Sequence, residues 1–223
     1  MRRSINKLFL SLAVVFSFLC GVNLSKADSY YDRKVEFFEL LPIGENDIVF
    51  LGNSITDGGD FKKLLGIDNV KNRGISSDVI GGVEKRLEQV LRGHPKKLFL
   101  LIGINDVSHN LTVQQLADKY ELLVKKICEM SPGTEVYLQS VMPVNNDFKR
   151  YKSLIGKEKT IKAFNKEIER IAEENGCAYI DLTEALADPV SGKLRKEFTR
   201  DGLHLSNAGY EAWMSVVRPY LDL

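Results

Sequence analysis

The spacing of apolar positions changes several times along the chain, and each change marks an element. "YYDRKVEFFELL", Tyr30 to Leu41, is amphipathic and predicts an N-terminal helix. "DIVFL" is a short β-branched and aromatic run ending at Gly52, which reads as a strand. "NVKNRG", Asn69 to Gly74, predicts a second short strand and a tight loop. From Ser77 to Leu91 the apolar residues Val79, Val83, Leu87, Val90 and Leu91 fall at helical spacing behind Ser77 as a capping residue. "KKLFLLIGIND", Lys96 to Asp106, is a buried strand running out into a loop. Thr112 to Met130 is a helix capped by Thr112 and stopped by "SPG".

The second half repeats the alternation. Thr134 to Val144 predicts a strand, Thr160 to Gly176 a helix closed by glycine, Ala178 to Leu182 the last strand, and Ser206 to Leu221 a final helix capped by Ser206. Between them, Asn145 to Lys159 has no clear period and reads as a mobile excursion. Five strands alternating with helices predict an α/β fold: a five-stranded parallel sheet in a three-layer α/β/α sandwich. Ligands of such sheets bind beyond the carboxyl ends of the strands. Ser54, Gly74 and Asn105 each fall just past a predicted strand, which places all three on one rim. No internal repeat, low-complexity tract or linker follows residue 28.

The start of the chain stands apart. Arg2, Arg3 and Lys7 precede an apolar run from Leu8 to Val22, and Ser25 and Ala27 are small residues before Asp28. That order predicts a secretory signal peptide, residues 1–27, with the remaining domain spanning 28–223. The run is short for a membrane span, which takes roughly 20 apolar residues. The alternatives are an uncleaved anchor and a lipid on Cys20, although the bulky Leu19 before it suits a lipoprotein signal poorly.

With 44% apolar and 27% charged residues the chain is an ordinary globular one rather than a disordered one. Of 31 basic and 30 acidic residues, residues 1–27 hold four basic and no acidic ones; their removal leaves a net charge of −3. Nothing there favours nucleic acid or an anionic membrane surface as partner. "FKRYK", Phe148 to Lys152, reads as a solvated basic face. Cys128 and Cys177 are either a pair, as export would permit, or two buried thiols; neither has a histidine nearby in a motif that would make it catalytic.

The chemistry starts at "IVFLGNSITDGGDF". Ser54 stands where a strand stops, a place for a turn residue or for a nucleophile. A serine alkoxide needs a base, and the base an orienting acid. Among the three histidines, His94 precedes a strand and falls on the wrong rim, and His109 has only Asp106 near it. His204 follows Asp201 by three residues in "DGLHLSNAGY", a spacing that can put both side chains on one side of a turn entering a helix. Asp201 would then hold Nδ1–H of His204 and leave Nε2 for Ser54. An oxyanion would find donors on the same rim: the N–H groups of Ser54 and Gly74 and the side-chain amide of Asn105. Singly, Gly74 reads as a turn glycine, Asn105 as a loop amide and the Asp201–His204 pair as a helix cap.

Taken in order, the blocks "GNSIT", "NRGISSD", "GIND" and "DGLHL" resemble those of the SGNH (GDSL-type) hydrolase family, from about Tyr30 to Tyr220. The resemblance implies an esterase with Ser54 as nucleophile, His204 as general base and acid, Asp201 as its orienter, and Ser54, Gly74 and Asn105 as oxyanion donors. It implies no metal and no organic cofactor. Asn53 departs from the family name, which records an acid before the serine. The α/β-hydrolase elbow G-x-S-x-G is absent, and an Asp only three residues before the His also fits that family poorly.

The helix before the first strand is similar to the branch of platelet-activating-factor acetylhydrolase-like enzymes and bacterial carbohydrate O-acetylesterases. That likeness implies short acyl groups, first among them O-acetyl esters on glycans such as sialic acids or plant polysaccharides. A lysophospholipase or thioesterase is the second reading. A non-catalytic glycan-binding protein would need a broken triad, and a flavodoxin-like nucleotide binder would need a phosphate-cradling loop that "GNSITDGGD" lacks.

Overall fold

The computed structural model describes residues 29–221; the leader, Cys20 and the cut before Asp28 lie outside them. Helix α1 (Tyr30–Glu39) starts at Ser29 and Asp32, whose side chains each accept the other's backbone N–H in a capping box. Strand β1 (Ile48–Gly52) follows, then the short helices α2 (Ser54–Asp57) and α3 (Phe61–Leu65) and strand β2 (Val70–Gly74). Next come α4 (Ile80–Lys85), α5 (Leu87–Leu91), β3 (Lys97–Leu101), α6 (Ile104–Ser108), α7 (Val113–Met130) and β4 (Glu135–Gln139). The chain closes with α8 (Glu158–Glu174), β5 (Ala178–Ile180), α9 (Thr183–Leu186) and α10 (Asn207–Val217).

The five strands are all parallel in the order β2-β1-β3-β4-β5, with helices on both faces, as the alternation predicts. Every residue of β1 and β3 is buried, which is why both read as apolar runs, Lys97 at the start of β3 excepted. Helices α4, α5 and α8 pack on or beside α7, whereas α3 and α9 pack on α10. Phe50, Phe99 and Tyr137 occupy matching positions on β1, β3 and β4, and their rings stack at 5.0 and 4.5 Å. Phe61 of α3 extends the stack at 4.1 Å, and Trp213 of α10 meets it edge-on. This aromatic row fixes the registry of the central strands, and with it the rim beyond their carboxyl ends.

Two expectations need correction. The helix from Ser77 to Leu91 does not start at Ser77, which lies in a turn with φ +68°; α4 begins at Ile80 and the helix is interrupted at Arg86. The reason is the Arg86 side chain. It turns inward to Asp78 Oδ2 (2.9 Å from Nε), Arg73 O (2.9 Å) and Gly52 O (3.1 Å). Nor is Asn145 to Lys159 a free excursion. It forms single 3₁₀ turns at Asn146–Phe148 and Lys152–Leu154, buries Leu154, and yields to α8 already at Glu158. Asn145 pins it at both ends of its own peptide unit and side chain, with N–H to Gly202 O (2.7 Å) and Nδ2 to Leu194 O (2.8 Å).

Among the described residues no helix is long and apolar enough to cross a membrane.

Candidate active site

From β1 the chain runs to β2 on one side and then crosses to β3 on the other, and sheets of this kind bind ligands at such a reversal, beyond the carboxyl ends of the strands. Ser54 is the first residue of α2, straight after β1. Asn53 before it is buried and caps the turn, its Oδ1 accepting the Ile55 N–H at 3.0 Å. An aspartate would cap in the same way, so the departure at Asn53 leaves the local geometry intact.

His204 arrives from the other end of the chain, in the turn before α10. The Asp201 carboxylate organises that turn: Oδ1 accepts the N–H groups of Leu203 (3.0 Å) and His204 (2.8 Å), and Oδ2 lies 2.8 Å from His204 Nδ1. His204 Nε2 lies 2.9 Å from Ser54 Oγ. Burial alone would raise the Asp201 pKa, but the hydrogen bonds from His204, Tyr151 and the turn outweigh it and hold the carboxyl at about 2. It stays anionic at neutral pH. Gly202 is required between them: its φ is +92°, and a Cβ there would stand 2.3 Å from Asn145 O.

The structure thus brings Ser54, His204 and Asp201 into one hydrogen-bonded line. The other histidines stay outside it. His94 contacts Ser131 Oγ (3.1 Å) before β3, and His109 ends α6.

Asn105, at the start of α6, is also on the rim. One of its amide protons goes to Asp78 O (2.8 Å), which leaves the second for a ligand.

Gly74 does not meet its expectation. Its N–H donates to Asn72 Oδ1 at 2.7 Å, while Asn72 Nδ2 grips Thr56 O (2.7 Å) and Gly59 O (2.9 Å). A Cβ at Gly74 would come within 2.1 Å of Asp57 N, so glycine serves here to let β2 meet α2. Along the same loop, Ile75 N–H goes to Gly52 O, Ser76 N–H to Asp57 Oδ2 and Asp78 N–H to Ile75 O. The Ser77 N–H is left without an acceptor among the described residues. In the sequence Ser77 reads as a helix cap, because a serine gives no sign of a left-handed backbone.

Tyr151 was missed. Its hydroxyl lies 2.8 Å from Asp201 Oδ2 and 2.9 Å from His204 Nδ1. The basic run "FKRYK" that carries it reads as mere surface without the fold.

Comparison with known proteins identifies the family. The sequence profile of the GDSL-like lipase/acylhydrolase family matches residues 50–212. The chain belongs to that family. It is an ester-hydrolysing enzyme. A solved protein named for platelet activating factor, from Streptococcus pneumonia, is 26% identical with a TM-score of 0.79, over 96% of this chain and 99% of that one. A GDSL-like lipase from Bacteroides thetaiotaomicron is 22% identical with a TM-score of 0.74, over 86% and 97%. A variant of an acetyl xylan esterase from Geobacillus stearothermophilus is 21% identical with a TM-score of 0.62, over 81% and 96%. The last two likenesses are of fold. No curated protein matches the chain.

Proposed function

We propose that this GDSL-family enzyme is an exported serine esterase that removes short acyl groups, O-acetyl foremost, from carbohydrates. The observation that carries the proposal is the line Asp201–His204–Ser54, with contacts of 2.8 and 2.9 Å. In this reading His204 takes the Ser54 proton as Oγ attacks the ester carbonyl, and then gives it to the departing sugar alkoxide. Water, deprotonated by His204, next attacks the acyl-enzyme and releases the carboxylic acid. The oxyanion is held by the N–H of Ser54, the free amide proton of Asn105 and the N–H of Ser77, which takes the part expected of Gly74.

The similar fold of an acetyl xylan esterase supports a glycan rather than a lipid. A hollow of about 660 Å³ lies beyond β4 and β5, with Val141, Val144 and Ile161 beside Lys162, Tyr179 and Asp181 in its wall; it does not include the triad. Export rests on the leader at residues 1–27.

The test is hydrolysis of p-nitrophenyl esters from acetate to octanoate by residues 28–223, beside Ser54→Ala. Turnover of acetate that vanishes in the variant is expected, followed by release of acetate from acetylated polysaccharide. A preference for long chains would replace the glycan reading with a lysophospholipase or thioesterase. Undiminished turnover by Ser54→Ala would overturn the triad.

A further inference from the structure

We propose that Tyr151 is a positioning residue of the catalytic pair, its hydroxyl setting how strongly Asp201 draws the proton on His204. The proposal rests on the triad reading above. The Asp201 carboxylate takes four donors: the N–H groups of Leu203 and His204 on Oδ1, and His204 Nδ1 together with the Tyr151 hydroxyl on Oδ2. The last two share one oxygen. A phenol proton on that oxygen draws off negative charge that would otherwise stabilise the imidazolium.

The hydroxyl remains a donor at working pH. Burial, and then the hydrogen bond and charge of Asp201, push its pKa up, against a smaller opposite pull from Arg150. The Tyr151 hydroxyl, its proton on Asp201 Oδ2, also stands 2.9 Å from His204 Nδ1. Ser54 Oγ is on Nε2, and the Arg200 side chain turns away to Leu205 O (2.9 Å).

The placement is built. Buried Leu154 anchors the turn after Tyr151, and Asn146 ties it to Leu154 O (3.2 Å) and Glu158 (2.6 Å). The Asn145–Gly202 bond joins the same segment to the Asp201–His204 turn. The phenol ring meets the imidazole edge-on, with centroids 5.7 Å apart.

Tyr151→Phe keeps that ring contact and removes only the donor. Asp201 then stabilises protonated His204 better, and the imidazole titrates at higher pH. The experiment is an NMR titration of the His204 ring in the wild type and in Tyr151→Phe, its resonances assigned by their loss in His204→Asn. It is read beside the pH profile of kcat/KM on p-nitrophenyl acetate. An upward shift of about half a pH unit, a roughly threefold change in the protonation constant, is expected in both readouts. The rate loss is then greatest at acid pH and recovers at alkaline pH. A midpoint that stays put or falls overturns the proposal, even if the rate drops, because a purely structural role would lower the rate at every pH. The titration needs no turnover, so failure of this proposal is distinct from failure of the triad, which Ser54→Ala reports.

Discussion

Arg86 and Asp78 meet 2.8 Å apart with each side chain 1% exposed, and between them they hold three pieces of the rim beyond the strands. The guanidinium reaches Gly52 O at the end of β1 and Arg73 O in β2, and Asp78 O in turn receives the Asn105 amide. Removing one partner of a buried pair leaves the other charge unpaired, at a cost of roughly 3–5 kcal/mol. Arg86→Met should lose about that much in urea denaturation and should lower kcat as the rim loosens. A loss below about 1 kcal/mol would mean that water readily replaces the guanidinium.

The proposed oxyanion donors separate by substitution. Asn105→Ala should lower kcat about 10²–10³-fold, the scale for one such donor, whereas a loss confined to KM would reassign Asn105 to substrate binding. Gly74→Ala should act through the fold, because its Cβ meets the backbone of Asp57 and Thr56; overpacking of this kind costs about 1–3 kcal/mol. Ser77→Gly keeps the N–H and relieves a left-handed backbone that costs a non-glycine residue about 1–2 kcal/mol, offset in part by the freer unfolded chain. Its kcat should match the wild type and its Tm should hold or rise. A large fall in kcat for Ser77→Gly would show that the serine side chain itself is used.

How far the sequence reveals this site depends on what kind of signal each part leaves. Strands buried on both faces leave apolar runs, so β1 and β3 and the residues just past them, Ser54 and Asn105, could be placed on one rim without coordinates. Asp201 and His204 are three residues apart, within one turn, so their contact is also local. The rest is not local. Tyr151 lies 50 residues from Asp201, in a segment with no period that is tied to the Asp201 turn by the Asn145–Gly202 bond. Arg86 looks like one more charged helical position until the chain folds over it. At Gly74 the rule that glycine marks close approach is right, but the approach is of α2 to β2 and not of substrate.

Cys128 in α7 and Cys177 before β5 are free thiols whose sulfurs lie 3.8 Å apart, the meeting that sequence alone left open. A disulfide needs about 2.05 Å, so the two sulfurs must approach for a bond to form. Burial, and then the neighbouring Cys128, push the Cys177 thiol up to about 12. Thiolate is therefore scarce at Cys177, and uncatalysed attack by that sulfur is slow. Prolonged incubation of the folded protein with oxidised glutathione should transfer two electrons to that disulfide, join Cys128 to Cys177 and remove two titratable thiols. The crosslink spans 49 residues, for which chain entropy gives up to about 4 kcal/mol of added stability. The gain should appear as a higher Tm that dithiothreitol reverses and that Cys128→Ser abolishes. If both thiols still react with a thiol reagent in the native protein after oxidation, the two side chains do not come together in solution and the pair has no stabilising role.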